Sequence, residues 1–197
     1  VYLADHQMCR LTPEGYEVLQ ADRTIFDPEV RRLDWDTQED DLGDFPHFML
    51  KEIHEQPAVV GRALAGRLDL AEATAQLDGL NLDPQALRQT DQIILTGCGT
   101  SYHAALIGEY LLEQFARIPV EVEYASEFRY RNPPMDRNTL VIGITQSGET
   151  ADTLAALREA RRKGQRTLGI CNGVESTIAR EVDGRIFLNA GREVGVA

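Results

Sequence analysis

The stretch from Asp91 to Ser101 reads DQIILTGCGTS, and the fold follows from it. Ile93, Ile94 and Leu95 form a short apolar run rich in β-branched side chains, the pattern of a strand buried on both faces of a parallel sheet. The run stops at Thr96-Gly97-Cys98-Gly99-Thr100-Ser101. Beyond it, Ala104, Ile107, Leu111 and Phe115 recur near helical spacing, so Tyr102 to Phe115 reads as a helix. A strand, a Gly-rich turn and a helix in this order gather backbone N–H groups and the positive end of a helix dipole at one point, which suits an anion. Gly97 and Gly99 let the backbone approach a ligand with no Cβ in the way. Thr100 and Ser101 add hydroxyl donors and suit the helix cap. The turn is not a common nucleotide loop. No Lys-Ser/Thr pair follows the last Gly, and Tyr102 stands where the third Gly of G-x-G-x-x-G belongs. On these residues alone, an ordinary tight turn without a ligand explains the stretch equally well.

A second copy of the same logic lies downstream. Thr139 to Thr150 reads TLVIGITQSGET: an apolar strand at Leu140–Ile144, then Thr145-Gln146-Ser147-Gly148-Glu149-Thr150, then a helix over 150–163. Glu149 and Asp152 sit at the start of that helix and Arg158, Arg161, Arg162 and Lys163 at its end, each complementing the dipole, with Gly164 as the stop. Two such loops at the carboxyl ends of strands in one sheet form the crevice where open α/β sheets bind ligands. Around them the alternation is regular. Strands at Val120–Tyr124, Thr167–Cys171 and Arg185–Leu188, and short helices at Ser126–Tyr130 and Thr177–Glu181, complete an α/β domain: an open parallel five-stranded sheet covered on both faces.

The amino-terminal third differs. Val1 to Leu19 reads as two strands around the turn Thr12-Pro13-Glu14-Gly15, a β-hairpin not stable by itself. Residues 22–44 are acidic and poor in apolar groups, a linker or solvated face, with the single Trp35 as an anchor. Phe45 to Ala65 has helical character, but Pro57 predicts a helix end near Glu55–Gln56 and a new start at Pro57. Leu68 to Gln89 reads as one or two short helices.

The chain of 197 residues has a net charge of −12, which disfavours nucleic acid and anionic membranes as partners. No apolar run reaches the length of a membrane span. A phosphate site in so acidic a chain must be local, built from amides, hydroxyls and helix ends. Cys9, Cys98 and Cys171 are far apart and in no metal-like spacing, which fits a reduced, cytoplasmic compartment. Cys98, at a helix start, has the position of a lowered-pKa thiol but also of a small filler. His47 and His54 lack the i, i+4 spacing of a metal helix and read as structural or exposed. No signal peptide is visible, and the start at Val1 is read as that of a fragment.

The motifs KEIHEQP, GCGTSY, ASEFRYR, QSGETADTL, ICN and NAGREVGVA, spread from Lys51 to Ala197, together resemble the sugar isomerase (SIS) domain. They resemble most the first SIS domain of the glutamine–fructose-6-phosphate aminotransferase family, the glucosamine-6-phosphate synthases. The resemblance implies a flavodoxin-like SIS domain over residues 67–197, preceded by a linker and helix over 27–66 and by the closing hairpin of a glutaminase-like domain over 1–26; a hairpin packed on the main domain remains the alternative. It implies a cytoplasmic enzyme making glucosamine 6-phosphate from fructose 6-phosphate and glutamine, in which ammonia from the glutaminase site replaces the ketose oxygen and isomerisation follows. No metal or organic cofactor is implied, and a homodimer through SIS domains is. The substrate-binding residues expected are Gly99, Thr100, Ser101, Thr145, Gln146, Ser147 and Thr150, with the Val196 carbonyl and Thr100 meeting the sugar hydroxyls. The family usually has Ser where this chain has Thr145, which keeps the hydroxyl and adds a methyl. No catalytic acid, base or Schiff-base Lys is expected in this chain, so sugar-phosphate binding without turnover is the expectation for it. The alternative is a non-catalytic SIS module that senses a sugar phosphate, or another sugar-phosphate isomerase.

Overall fold

The computed structural model describes residues 3, 5–28, 41–77, 79–136 and 138–195. The acidic stretch around Trp35, and Val196, lie outside them. The chain divides into two compact units, Val1–Asp41 and Leu42–Ala197.

In the first unit, β1 (Met8–Thr12) and β2 (Gly15–Leu19) pair antiparallel, with Thr12 opposite Gly15 across the Pro13-Glu14 turn. A short third strand, β3 (Ile25–Phe26), pairs with the end of β2. Asp22 builds the turn between them by accepting from the backbone N–H and hydroxyl of Thr24. Two residues are too few for the alternation pattern to register, and the sequence reading placed no strand there.

The second unit opens with α1 (Phe48–Leu64), capped by His47, whose Nδ1 accepts from the N–H of Leu50 at 3.2 Å. Here the expectation of a break at Pro57 is overturned: α1 runs through it unbroken. A proline interior to a helix removes one hydrogen bond, but α1 is tied to the rest of the unit on both sides of Pro57. Glu52 accepts from the N–H groups of Val194 and Gly195, and Arg62 donates to the carbonyl of Ala190. The stretch read as one or two helices is instead a minimal hairpin, β4 (Leu68–Asp69) with β5 (Thr74–Ala75), followed by a single short helix, α2 (Pro84–Arg88). Asp69 turns that hairpin by accepting from Ala71 and Glu72, local bonds that compete with helix formation.

The rest is the expected alternation: β6 (Gln92–Gly97), α3 (Thr100–Ala116), β7 (Val120–Tyr124), α4 (Ala125–Arg131), β8 (Thr139–Ile144), α5 (Ala151–Arg162), β9 (Arg166–Cys171), α6 (Thr177–Glu181) and β10 (Gly184–Phe187). The strands form one parallel sheet in the order β10-β9-β8-β6-β7. Side chains alternate between its faces. Ile94 and Val141 point to one, where they pack with Phe128 of α4, Ala156 and Leu157 of α5 and Ile178 of α6. Ile93, Leu95, Leu140 and Ile142 point to the other, where Ala105 and Leu112 of α3 join Leu80 and Leu82. Each large aliphatic or aromatic chain so buried stabilises the fold by roughly 1.5–3 kcal/mol. Helix α5 lies close on the sheet because β8 carries Gly143, where a Cβ would come within 2.6 Å of Leu157.

Candidate functional site

The chain leaves β6, the first strand of the parallel sheet, to one side for β7 and crosses back for β8 on the other. The strand order therefore reverses between β6 and β8. That is the switch point at which open α/β sheets hold ligands, and the loops beyond these two strands are the Gly97–Ser101 and Thr145–Thr150 stretches singled out in the sequence.

The loops are held side by side. A Cβ on Gly97 would lie 2.9 Å from the carbonyl oxygen of Ile144 and 3.2 Å from Cβ of Ser101, so the residue must be glycine for the two strand ends to meet. Gly99 has φ 59° and ψ −132°, a conformation open to glycine and hardly to any L residue. No protein atom lies within 4 Å of where its Cβ would be, so the space before it is open. Gly99 is also the N-cap of α3, and no side chain caps that helix. The expected caps by Thr100 and Ser101 are thus absent: both belong to the first turn, Thr100 exposed and Ser101 half-buried. Stacking of Tyr102 on Tyr124, 3.7 Å between ring centroids, fixes that turn against the end of β7.

The second loop is wired internally. Thr145 is 3 % exposed, and its Oγ1 accepts from the N–H of Gly148 at 3.3 Å and lies 2.9 Å from Oγ1 of Thr150. Ser147 is exposed, its hydroxyl accepting from the N–H of Glu149 at 3.1 Å. Backbone bonds from Thr145 N–H to Ile170 and from Asn172 N–H to the Gln146 carbonyl bind the loop to the end of β9. Glu149, next to the N-cap of α5, also reaches a second helix. Its carboxylate accepts from the N–H of Thr177 at 2.7 Å and so satisfies the start of α6. That helix lies beside the loop in space, and nothing local in the sequence announces it.

Thr100 and Gln146 open into a cleft of ≈ 540 Å³. Its other walls come from α1, through Met49, Glu52, Ile53 and Gln56, and from residues 190–193 of the carboxyl-terminal strap. The resemblance gave NAGREVGVA one role, the Val196 carbonyl at the sugar, which lies outside the described residues, and gave KEIHEQP none; the structure brings α1 and residues 190–193 to one cavity. Besides the Glu52 bonds to Val194 and Gly195, further contacts hold the strap. The Asn172 side chain donates to the Gly191 carbonyl and accepts from the Ala190 N–H, Leu188 N–H bonds to the Cys171 carbonyl, and Arg62 reaches the Ala190 carbonyl.

Cys98 packs partly buried against the core. Cys171 is fully buried, and burial pushes its thiol up from the ordinary range despite a contact with Ser176 and the charge of Arg185. His47 caps α1 and His54 stacks on Phe45. Among the described residues, no cluster of His, Cys, Asp and Glu is arranged to hold a metal ion, and no helix is long and apolar enough to cross a membrane.

Known proteins share this arrangement. The glutamine–fructose-6-phosphate aminotransferase (isomerizing) of Chlorobaculum tepidum is 50% identical over all 197 residues, and one from Thermus thermophilus is 47% identical over the same span. The chain spans 32% of the length of each. The solved carboxyl-terminal domain of the Francisella tularensis glucosamine-fructose-6-phosphate aminotransferase superimposes with a TM-score of 0.70 at 38% identity, covering 80% of this chain and 43% of that one. Residues 86–197, more than half of the chain, match the family model described as SIS domain. Family model and fold agree: the chain belongs to the SIS domain proteins.

Proposed function

We propose that this chain is the hexose-phosphate-binding part of a glutamine–fructose-6-phosphate aminotransferase (isomerizing), with fructose 6-phosphate or glucosamine 6-phosphate as its ligand. The observation that carries the reading is that the two hydroxyl-rich loops lie side by side at the switch point and each gives one residue, Thr100 and Gln146, to the adjoining cleft of ≈ 540 Å³. The wiring of the second loop suits an anion. Thr145 accepts from the Gly148 N–H and shares a hydrogen bond with the Thr150 hydroxyl that either oxygen can donate; in the arrangement where Thr145 donates, Thr150 keeps its proton for a ligand. Ser147 accepts from Glu149 and likewise keeps its proton for a ligand. Ser101 and the open face of Gly99 complete the phosphate cradle from the first loop, while Thr100 and Gln146 face the sugar. Bonds of this kind to a charged acceptor contribute roughly 1.5–3 kcal/mol each, so a few suffice for a phosphomonoester without a cation. The high identity to named aminotransferases along the whole chain favours this reading over a sensory SIS module. It extends to a glutaminase-like origin for the amino-terminal hairpin, to a cytoplasmic setting and to a homodimer, for which the exposed Ile107, Leu111 and Phe115 on α3 offer an apolar face.

Titration calorimetry tests it. Fructose 6-phosphate should bind and ATP should not, and Ser147→Ala should weaken the sugar phosphate by about ten- to a hundredfold. Equal affinity for fructose and fructose 6-phosphate, or tight ATP binding indifferent to Ser147→Ala, would refute the assignment.

A further inference from the structure

The cleft has a wall that the loops do not supply, and its geometry is tightly specified. Glu52, on the second turn of α1, accepts two hydrogen bonds on one carboxylate oxygen, from the N–H of Val194 and of Gly195, each 2.8 Å long. These are residues 142 and 143 positions further along the chain. Gly195 lies so flat against α1 that a Cβ there would stand 2.8 Å from Oε2 of Glu52 and 3.0 Å from both N and Cα of Met49. Gly191 repeats the close approach: it has φ +85°, and a Cβ there would stand 3.2 Å from Nη2 of Arg62. Glu52 and Arg62 thus pin the strap from the helix side, while Asn172 holds it from the sheet side. Between these anchors residues 190–193 face Thr100 and Gln146 across the cleft, and Glu52 lines the same cavity. A carboxylate taking two backbone N–H groups forms charge-assisted bonds, stronger than neutral ones. Apart from this contact the strap lacks sheet or helix bonds to hold it at Val194 and Gly195 among the described residues.

We propose that Glu52 is a positioning residue for the sugar end of the cleft. Its carboxylate clamps the Val194 and Gly195 amides and so holds the strap where it closes over the sugar moiety, leaving the phosphate to the two loops. The proposal rests on the sugar-phosphate reading of the site but concerns a residue outside both loops. It divides ligand recognition in two: the loops bind the anion, and the α1–strap clamp fixes the surface that meets the rest of the molecule.

The test is calorimetry on the whole chain with two probes, fructose 6-phosphate and inorganic phosphate, for the wild type, Glu52→Ala, Glu52→Gln and Ser147→Ala. Glu52→Ala is expected to weaken fructose 6-phosphate about tenfold or more and to leave inorganic phosphate within about twofold, because only the clamp is lost. Glu52→Gln, which keeps the accepting oxygen, should recover most of the affinity. Ser147→Ala should weaken both probes. Amide hydrogen exchange at Val194 and Gly195 should quicken in Glu52→Ala and not in Ser147→Ala. Wild-type affinity for fructose 6-phosphate in Glu52→Ala, or an equal loss of both probes in that variant, would overturn the clamp while leaving the phosphate loops intact as a reading. Failure of the wild type to bind either probe would instead overturn the sugar-phosphate reading, and the clamp's role with it.

Discussion

At the scale of single residues, the glycines of the two loops do different work, and one of them gives a sharp prediction. Gly97 permits contact between strand ends and Gly99 opens space, whereas Gly148 is enclosed. It sits at φ +71°, and a Cβ there would stand 2.0 Å from Oγ and 2.4 Å from Cβ of Ser176. Ser176 cannot withdraw freely, because its hydroxyl is the N-cap of α6, accepting from the N–H of Ala179. Gly148→Ala therefore combines a left-handed penalty with overpacking, on the order of 2 kcal/mol or more. A fall of roughly 4–8 °C in the melting temperature is expected for a chain of this size. Because the Gly148 N–H bonds to the Thr145 hydroxyl, which in turn pairs with that of Thr150, the same variant should also disturb this hydroxyl pair and weaken fructose 6-phosphate. A variant with unchanged melting temperature, measured by circular dichroism, would mean that the loop has another way to accommodate a side chain.

At the scale of elements, helix ends and their ion pairs set the pH response. Arg158 of α5 makes a bidentate pair with Glu181 at the end of α6, with Nε–Oε2 2.7 Å and Nη2–Oε1 2.5 Å, and Arg161 donates to the Glu181 carbonyl. The hydrogen bonds from Arg158, outweighing partial burial, hold the Glu181 carboxyl below the usual carboxylate range, with help from the charges of Arg158, Arg161 and Arg180. A carboxyl lowered on folding stabilises the fold fully above its ordinary range, and the contribution drains away as pH falls through the lowered value. The pair is partly solvated, so Glu181→Gln should cost only about 0.5–1 kcal/mol at pH 7. The gap between the variant and the wild type should narrow steadily as pH falls below the ordinary carboxylate range, and a gap of constant size down into acid would point to a packing effect instead. This arginine-rich end of α5 was legible in the sequence, as was the run of strands and helices after Asp91, because buried strands, turn glycines and helix caps are local signals. What was not legible depends on partners remote in the chain. The continuity of α1 through Pro57 accompanies bonds to residues 190–195; Glu149 serves a helix it precedes by 28 positions; β3 exists because β2 offers it an edge. The two loops could be found from residues 97–101 and 145–150, and the resemblance pointed to Val196 at the end of the strap, but the wall that α1 supplies could not be found, since nothing in α1 marks the strap as its partner.

At the scale of the whole molecule, the charge of −12 and the makeup of the site act against each other, and their balance can be measured. The cradle as read uses hydroxyls, amides and helix ends, all neutral, so its attraction for phosphate is short-ranged. The net charge acts at long range and repels a phosphate dianion. At an ionic strength of about 0.01 M the Debye length is about 30 Å, comparable with the molecule, and at about 0.1 M it shrinks to about 10 Å. Added salt should thus remove much of the repulsion while leaving the contact bonds almost untouched. Affinity for fructose 6-phosphate is expected to hold steady or to rise by up to a few-fold between these two conditions, measured by calorimetry in a chloride salt. A site built on lysine or arginine would behave in the opposite way, its affinity falling as salt screens the attraction. An approximately tenfold weakening over that range would show that a cationic side chain reaches the phosphate, and the hydrogen-bonded set of Gly148, Thr145 and Thr150 would then be a scaffold for the loop and not the source of its affinity.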